Sequence, residues 1–470
     1  MPRPARSCLG PVTRRSFLEA GSLFFGALTL SDLLRMRASA AAAGRGGAGR
    51  ADDTSVILLW LPGGPPHMET YDLKPDAPAE FRGDFRPIRS VVPGLDVCEH
   101  LPRHARIADK FTIVRSVAHE FADHGGGHKR FLTGRIPASP VDFVNDAPMV
   151  GSIVAKVRER RDAGLPNYVA GTDPGRSGVD VFSFGAAYLG QATTPFMVAG
   201  DPNRPDFKVE HLAMDPAMAD RMDDRLKLRE GFDRLRRDLD RSGSVEALDE
   251  FDRRALALLT SPTARDAFDL AREDPRLRDR YGRHPWGQRA LLARRLVEAG
   301  CSFVTMVLEN PVPSGQPVPP GVIYNWDSHA VNGHIFDDAR CRLPIYDQAV
   351  TALVEDLHAR GLDRKVLLIV TGEFGRTPRL SAANGRPGRD HWPGAMSMLL
   401  CGGGMRTGQV VGSTDSRGER PKDRPLTPND LWATMYRHLG IDPAITFPDL
   451  AGRPMPILPF GDPIPELLPA

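Results

Sequence analysis

The stretch Ser55-Val56-Ile57-Leu58-Leu59-Trp60-Leu61, closed by Pro62-Gly63-Gly64, decides the fold class. After Ser55 no polar residue interrupts it, so it lacks the in-and-out alternation of a strand with one wet face. A strand covered by helices on both sides of a parallel sheet reads this way, because neither face has room for a polar side chain. Comparable runs follow at Phe111–Val114, Ser302–Leu308, Lys365–Thr371 and Ala395–Cys401, each ending in Gly or polar residues.

Helical patterns lie between these runs. Pro344–Arg360 places Ile345, Ala349, Val350, Leu353, Val354 and Leu357 on one face and stops at Gly361. Trp286–Ala299 does the same with Leu291, Leu292, Leu296 and Val297 before Gly300. Thr427-Pro428-Asn429-Asp430 opens a third helix with an N-cap, a first-turn proline and an acidic residue. Strands alternating with helices predict an α/β fold: a three-layer, doubly wound, mostly parallel sheet with helices on both faces. Ligands of such sheets sit beyond the carboxyl ends of the strands. Residues from about Asp206 to Asp279 break the pattern, being dense in Arg, Asp and Glu with Leu and Ala at helical spacing, and predict a helical insertion or cap.

With 470 residues and 41% hydrophobic content the chain can bury a large core, which excludes a disordered protein. Lys+Arg 61 against Asp+Glu 59 leaves no basic field for nucleic acid or an anionic membrane surface. The beginning reads as a signal peptide over residues 1–43: Arg3, Arg6, Arg14 and Arg15, an apolar stretch Leu23–Leu34, then an alanine-rich end. Thr13-Arg14-Arg15-Ser16-Phe17-Leu18 resembles the twin-arginine export signal, which implies the twin-arginine translocase as a partner and a periplasmic or secreted location. No other stretch is long and apolar enough to span a bilayer. Residues 44–53 read as a flexible linker, and 54–470 as one α/β domain. Cys98, Cys301, Cys341 and Cys401 lack zinc-knuckle spacing; Cys301 and Cys401 read as core thiols, with a disulfide left open.

Histidines and carboxylates concentrate at the strand ends. They occur in Gly63-Gly64-Pro65-Pro66-His67-Met68-Glu69-Thr70-Tyr71-Asp72, in His119-Glu120-Phe121-Ala122-Asp123-His124-Gly125-Gly126-Gly127-His128 and in Asn325-Trp326-Asp327-Ser328-His329. They recur in Gly372-Glu373-Phe374-Gly375-Arg376-Thr377 and, just before the last run, in Arg389-Asp390-His391-Trp392-Pro393. Imidazole nitrogen converging with carboxylate oxygen is what zinc, manganese or iron requires of a protein. Asp327-x-His329 is the sharpest element, since residues two apart in an extended loop project to the same side. Gly125-Gly126-Gly127 and Gly402-Gly403-Gly404 could present N–H groups to an anion, but without the Lys of a phosphate loop they read better as tight turns.

Gly63-Gly64-Pro65-Pro66-His67, Asp123-His124-Gly125, Trp326-Asp327-Ser328-His329, Gly372 through Pro378 and Arg389 through Pro393, in that order, resemble the exported bacterial domain-of-unknown-function family 1501. That family is similar to the alkaline phosphatase and sulfatase superfamily, which implies a one- or two-metal site for phosphate or sulfate esters. By that resemblance Asp327 and His329 match one set of metal ligands, Glu373 the acidic residue after a late strand, and His391 the last histidine ligand. Two departures stand out. Pro62 occupies the place of an acidic or amide ligand, so His67 or Asp72 would substitute. Counting back from Phe131-Leu132-Thr133-Gly134-Arg135, which resembles the tail of the sulfatase signature, puts His124 at the nucleophile and His128 at the signature's arginine.

The resemblance therefore implies an exported metal-dependent hydrolase acting on a small anionic ester or a sulfated or phosphorylated saccharide. The expected ligands of a divalent ion, zinc first, with manganese, iron or calcium as alternatives, are His67, Asp72, Asp327, His329, Glu373, Asp390 and His391. His124 or His128 would move the proton, with His124 also open to a role as ligand or phosphohistidine nucleophile. Arg376 either contacts the anion or pairs with a carboxylate. The alternative is a non-catalytic cell-envelope binding protein that keeps the fold without the nucleophile. A third reading makes the helical segment a lid over a carbohydrate sulfate.

Overall fold

The computed structural model describes residues 53–142, 144–159, 164–173, 184–209 and 261–469. The leader, nearly all of the linker and most of the helical insertion expected over 206–279 lie outside the described residues. Eight strands form one sheet: β1 (Ser55–Trp60), β2 (Phe111–Val117), β3 (Tyr168–Thr172), β4 (Phe196–Ala199), β5 (Phe303–Val307), β6 (Val366–Thr371), β7 (Met396–Gly402) and β8 (Gln409–Val411). Their order across the sheet is β8-β2-β7-β6-β1-β5-β3-β4.

The central strand β1 is buried along its whole length and pairs in parallel with β5 and β6. Its alternate residues divide between two cores. Ile57 and Leu59 pack with α3 (Pro285–Glu298) and α4 (Ile335–Ala359) on one face. Val56, Leu58 and Trp60 pack with α1 (His124–Thr133), α2 (Val150–Val157) and α5 (Pro428–Leu439) on the other. This is the three-layer arrangement expected of a strand without a polar face. The described residues from Thr54 onward belong to one compact unit.

The sheet is mostly parallel, as expected, and one strand is the exception. β7 runs antiparallel to both of its neighbours, with Met396 opposite Val117 of β2 and Leu399 opposite Val370 of β6. Its first residue thus lies level with the last residue of β2, so residues preceding β7 arrive at the rim that the other strands reach with residues following them. The short strands β3, β4 and β8 also lie beyond the apolar runs read from sequence. Helix α4 starts nine residues ahead of its expected first residue, capped by His334 accepting from the Asp337 N–H and carrying Pro344 inside it. Helix α5 opens as read, with Thr427 and Asp430 forming a reciprocal capping box.

The described end of the 206–279 segment is helical at Pro262–Phe268 and Pro275–Tyr281. Ala264, Ala267, Phe268 and Tyr281 from this stretch join the core under α3. Cys98, Cys301 and Cys401 are buried free thiols and Cys341 is an exposed one. Burial pushes the Cys301 and Cys401 thiols up to about 12, which makes them inert. Among the described residues no helix is long and apolar enough to cross a membrane.

Candidate metal centre

Four loops at one rim of the sheet supply the site. The loop after β5 is anchored by Trp326, which is buried, donates its Nε1–H to the Leu308 carbonyl at 2.8 Å and stacks on Trp286 at 5.6 Å. Its backbone N–H donates to the Pro62 carbonyl at 3.0 Å, drawing the loops after β1 and β5 together. Gly63 makes that approach possible: at φ 105° a Cβ there would lie 2.5 Å from the Asp327 nitrogen. Asp327 is thereby held over the end of β1.

Three imidazoles face the Asp327 carboxylate. His391 Nε2 lies 3.1 Å from Asp327 Oδ1, His329 Nε2 3.2 Å and His124 Nε2 3.4 Å. His329 Nε2 and His391 Nε2 are 2.9 Å apart. Each ring is held by its other nitrogen. His124 Nδ1 is 2.8 Å from Glu373 Oε1, His329 Nδ1 2.6 Å from Asp390 Oδ1, and His391 Nδ1 2.6 Å from the Ala122 carbonyl. Each acceptor can take a proton from Nδ1. The Nε2 atoms hydrogen-bond to Asp327, and a ring that gave up its Nε2 proton to a metal would keep the Nδ1 proton and turn its Nε2 lone pair toward Asp327 Oδ1. Phe374 supports two of the rings, its centroid 5.3 Å from His124 and 4.7 Å from His391.

The carboxylate is held as tightly. Arg376, which has no solvent exposure, donates from Nη2 to Asp327 Oδ1 at 2.6 Å. Asn332 Nδ2 donates to Asp327 Oδ2 at 3.0 Å. Burial raises the Asp327 carboxyl, but hydrogen bonds from His124, His329 and His391 and the Arg376 charge outweigh it and hold the group far below the usual carboxylate range. Burial lowers His124, yet its bonds to Asp327 and Glu373 win and raise it to about 9. Glu373 is fully buried; burial raises it, and the neighbouring His128 and His124 bring it well below its ordinary value. Its Oε1 accepts from the Gly63 N–H at 2.8 Å, while its Oε2 finds no hydrogen-bond partner in the protein.

A metal ion fits these observations. Around a tetrahedral ion with bonds of about 2.0–2.1 Å, ligand atoms lie roughly 3.3 Å apart, and the spacings at Asp327 Oδ1 run from 3.1 to 3.4 Å. Two groups of side chains are close enough to hold an ion: His124 with Asp327 and His391, and His124 with His128 and Glu373. His329 adjoins the first group through its contacts with Asp327 and His391.

The other expected residues stand elsewhere or act differently. His67 turns away, its Nε2 3.0 Å from the Gly418 carbonyl, and burial lowers it to about 4. Asp72 is buried against Lys74 at 2.9 Å and accepts from the Thr414 hydroxyl. Among the described residues neither joins a group of side chains close enough to hold an ion. Asp390 orients His329 instead of joining the ligand atoms. His128 is buried, 3.3 Å from Glu373 Oε1 and edge-on to Trp60, in the second of the two groups, which does not include Asp327. Arg376 is buried and spends four of its five N–H groups on Asp327 and on the carbonyls of Gly63, Gly64 and Arg389, so it pairs with a carboxylate.

Gly125, Gly126 and Gly127 form the first turn of α1 beneath its Asp123 cap. A Cβ at Gly125 would meet the Asp142 carbonyl at 2.6 Å and one at Gly127 would meet the Phe374 ring at 2.9 Å, so these glycines stand in a helix, not a tight turn, and serve close packing. Sequence reasoning missed Asn332 and the Ala122 carbonyl, and no motif marked either.

The chain resembles several solved structures at low identity. It is 11% identical to Ps i-CgsB, covering 83% of this chain and 72% of that one at a TM-score of 0.37. It is 12% identical to the PsFucS1 sulfatase from Pseudoalteromonas sp. (86% and 72% covered, TM-score 0.35) and 10% identical to the lipoteichoic acid synthase LtaP from Listeria monocytogenes (83% and 73% covered, TM-score 0.35). No curated protein sequence matches the chain. The sequence model of the family described as protein of unknown function (DUF1501) matches residues 53–468, from just ahead of β1 to beyond every residue of the candidate site, and the chain belongs to that family.

Proposed function

We propose that the chain is a metal-dependent hydrolase of phosphate or sulfate esters, exported to the periplasm or beyond. One observation carries this reading: three imidazole Nε2 atoms converge on Asp327 Oδ1 while each Nδ1 is held by a separate acceptor. That is the pattern by which proteins orient histidines toward a metal. Asp327, His124, His329 and His391 would hold the ion. Three nitrogens and one oxygen suit zinc, manganese or iron and disfavour calcium, which prefers oxygen throughout.

A bound ion would polarise an ester oxygen and lower the pKa of a water bound beside it. The chain's part is to keep the donors in place. Arg376 and Asn332 hold Asp327 ionised and immobile, and Glu373, Asp390 and the Ala122 carbonyl fix the rings. No hydroxyl or thiol stands at the position of His124, so water is the attacking group in this reading. Export is supported by the leader over residues 1–43 with its paired Arg14 and Arg15. The substrate class, a small anionic ester such as a sulfated or phosphorylated saccharide, is supported by the motif resemblance.

A second reading is favoured by the same donor count. Four protein donors can close a tetrahedral zinc, as in structural sites, which would make the chain a metal-holding binding protein. Elemental analysis of the purified exported form, followed by assay against phosphate monoesters, phosphate diesters and aryl sulfates, separates the two. Bound metal with turnover that His391→Ala abolishes supports the hydrolase. Bound metal without turnover on any ester class supports the binding protein. Failure to bind zinc, manganese or iron removes both.

A further inference from the structure

The two groups able to hold an ion share His124, and they use opposite nitrogens of its ring. Nε2 faces Asp327 at 3.4 Å, while Nδ1 faces Glu373 at 2.8 Å, with His128 Nε2 3.3 Å from the same Glu373 oxygen. A neutral imidazole has one lone pair. If Nε2 binds an ion, Nδ1 carries the proton and donates it to Glu373; if Nδ1 binds an ion, Nε2 carries the proton and donates to Asp327. The ring cannot swing to avoid this choice: His124 opens α1 directly after the Asp123 cap, and Phe374 and His391 pack against it, the latter at 4.2 Å between centroids.

We infer that the chain holds a single ion, seated at Asp327, and that the position between His128 and Glu373 stays without metal while that ion is bound. This rests on the metal-dependent reading above and narrows it. The seat at Asp327 has His329 and His391 besides His124, each with its far nitrogen held by an acceptor. The seat at Glu373 has His128 alone besides His124. With His124 committed to the first, the second keeps one imidazole and one carboxylate, too few for a tight protein site. Glu373 then acts as a positioning residue: it receives the His124 Nδ1–H and fixes the ring, while its Oε1 is itself held by the Gly63 N–H.

The test is equilibrium dialysis of the full mature chain against zinc alone at neutral pH, read by elemental analysis. One zinc per chain is expected. His391→Ala should weaken binding tenfold or more, whereas His128→Gln should leave stoichiometry and affinity within about twofold. Two zinc ions per chain would overturn the single-ion inference and leave the metal-dependent reading intact, as would one zinc lost on His128→Gln and kept on His391→Ala. No zinc at all would overturn both. Because wild-type stoichiometry decides the main point, the inference remains testable even if the His128 variant does not fold.

Discussion

The Arg376 guanidinium lies against Asp327 Oδ1 at 2.6 Å from a place with no access to solvent, and three more of its hydrogens go to the carbonyls of Gly63, Gly64 and Arg389. One residue therefore sets both the charge of the central carboxylate and the spacing of three loops. Removing one partner of a buried pair leaves an uncompensated charge, at a cost of about 3–5 kcal/mol. Arg376→Met is expected to lose stability on that order in urea unfolding and to lose zinc affinity with it. Arg376→Lys, which cannot reach three carbonyls and a carboxylate together, is expected to recover only part of either.

Asp390 carries a different expectation because its carboxylate is half exposed. Its bond to His329 Nδ1 fixes the ring without burying a charge. Asp390→Asn should therefore leave the melting temperature of the metal-free protein nearly unchanged while weakening zinc roughly 10- to 100-fold, the usual effect of losing a carboxylate behind a ligating histidine. Competition against a chromophoric chelator measures it. An equal loss of stability and affinity would mean that Asp390 is structural.

Histidines away from the site set the acid limit. Burial lowers His284 and His438 from 6.5 to about 4, with Asp201 opposing the shift at His284, and Arg158 adding to it and the Ser55 carbonyl opposing it at His438. As pH falls the unfolded chain takes up each proton first, so the stability these groups contribute is complete above about pH 6.5 and is lost progressively toward pH 4. Within that window each histidine contributes a slope of at most about 1.4 kcal/mol per pH unit. His438→Gln should flatten the fall in melting temperature between pH 6.5 and 4.5 relative to wild type. An unchanged slope would show that His438 is charged in the folded protein.

Gly63 gives the sharpest steric expectation. An alanine there meets both an unfavourable φ of 105° and the Asp327 nitrogen at 2.5 Å. Gly63→Ala should displace Asp327 and cost metal affinity beyond its cost in stability, whereas Gly361→Ala, also at positive φ but with nothing within 4 Å, should cost stability alone. Paired thermal melts and zinc titrations of the two variants make the comparison.

The sequence carried the fold where burial leaves a strong mark. Strands β1, β5 and β6 are enclosed on both faces and show as largely apolar runs, while β3 is diluted by Ala170 and Gly171 and β4 and β8 are four and three residues long and leave little trace. Direction was harder. An apolar run does not say which way its strand points, so β7 could not be distinguished from its parallel neighbours. Pro344 looks like a helix start in the sequence, whereas packing of Ile335, Phe336 and Leu343 carries α4 through it from nine residues earlier. In the site, Asp327, His329, His391 and His124 were legible as polar side chains at strand ends. His67 and Asp72 met the same criterion, but the chain turns at Gly63 and Gly64 before reaching them. Asn332 and the Ala122 carbonyl left no signal, since a neutral amide and a backbone oxygen gain their roles only from where the chain places them.

The reversed direction of β7 also bears on how the protein assembles. His391 enters its place only once a segment 269 residues downstream of Ala122 has been threaded between β2 and β6. Contacts so distant along the chain form late in folding, because the intervening loop must be closed first. On the proposed metal-dependent reading, an ion would then be captured at full affinity only by a chain whose sheet is already complete. On that reading a nascent polypeptide still lacking its final quarter would hold His124, Asp327 and His329 yet fail to retain metal, and metal retention would report completion of the whole architecture.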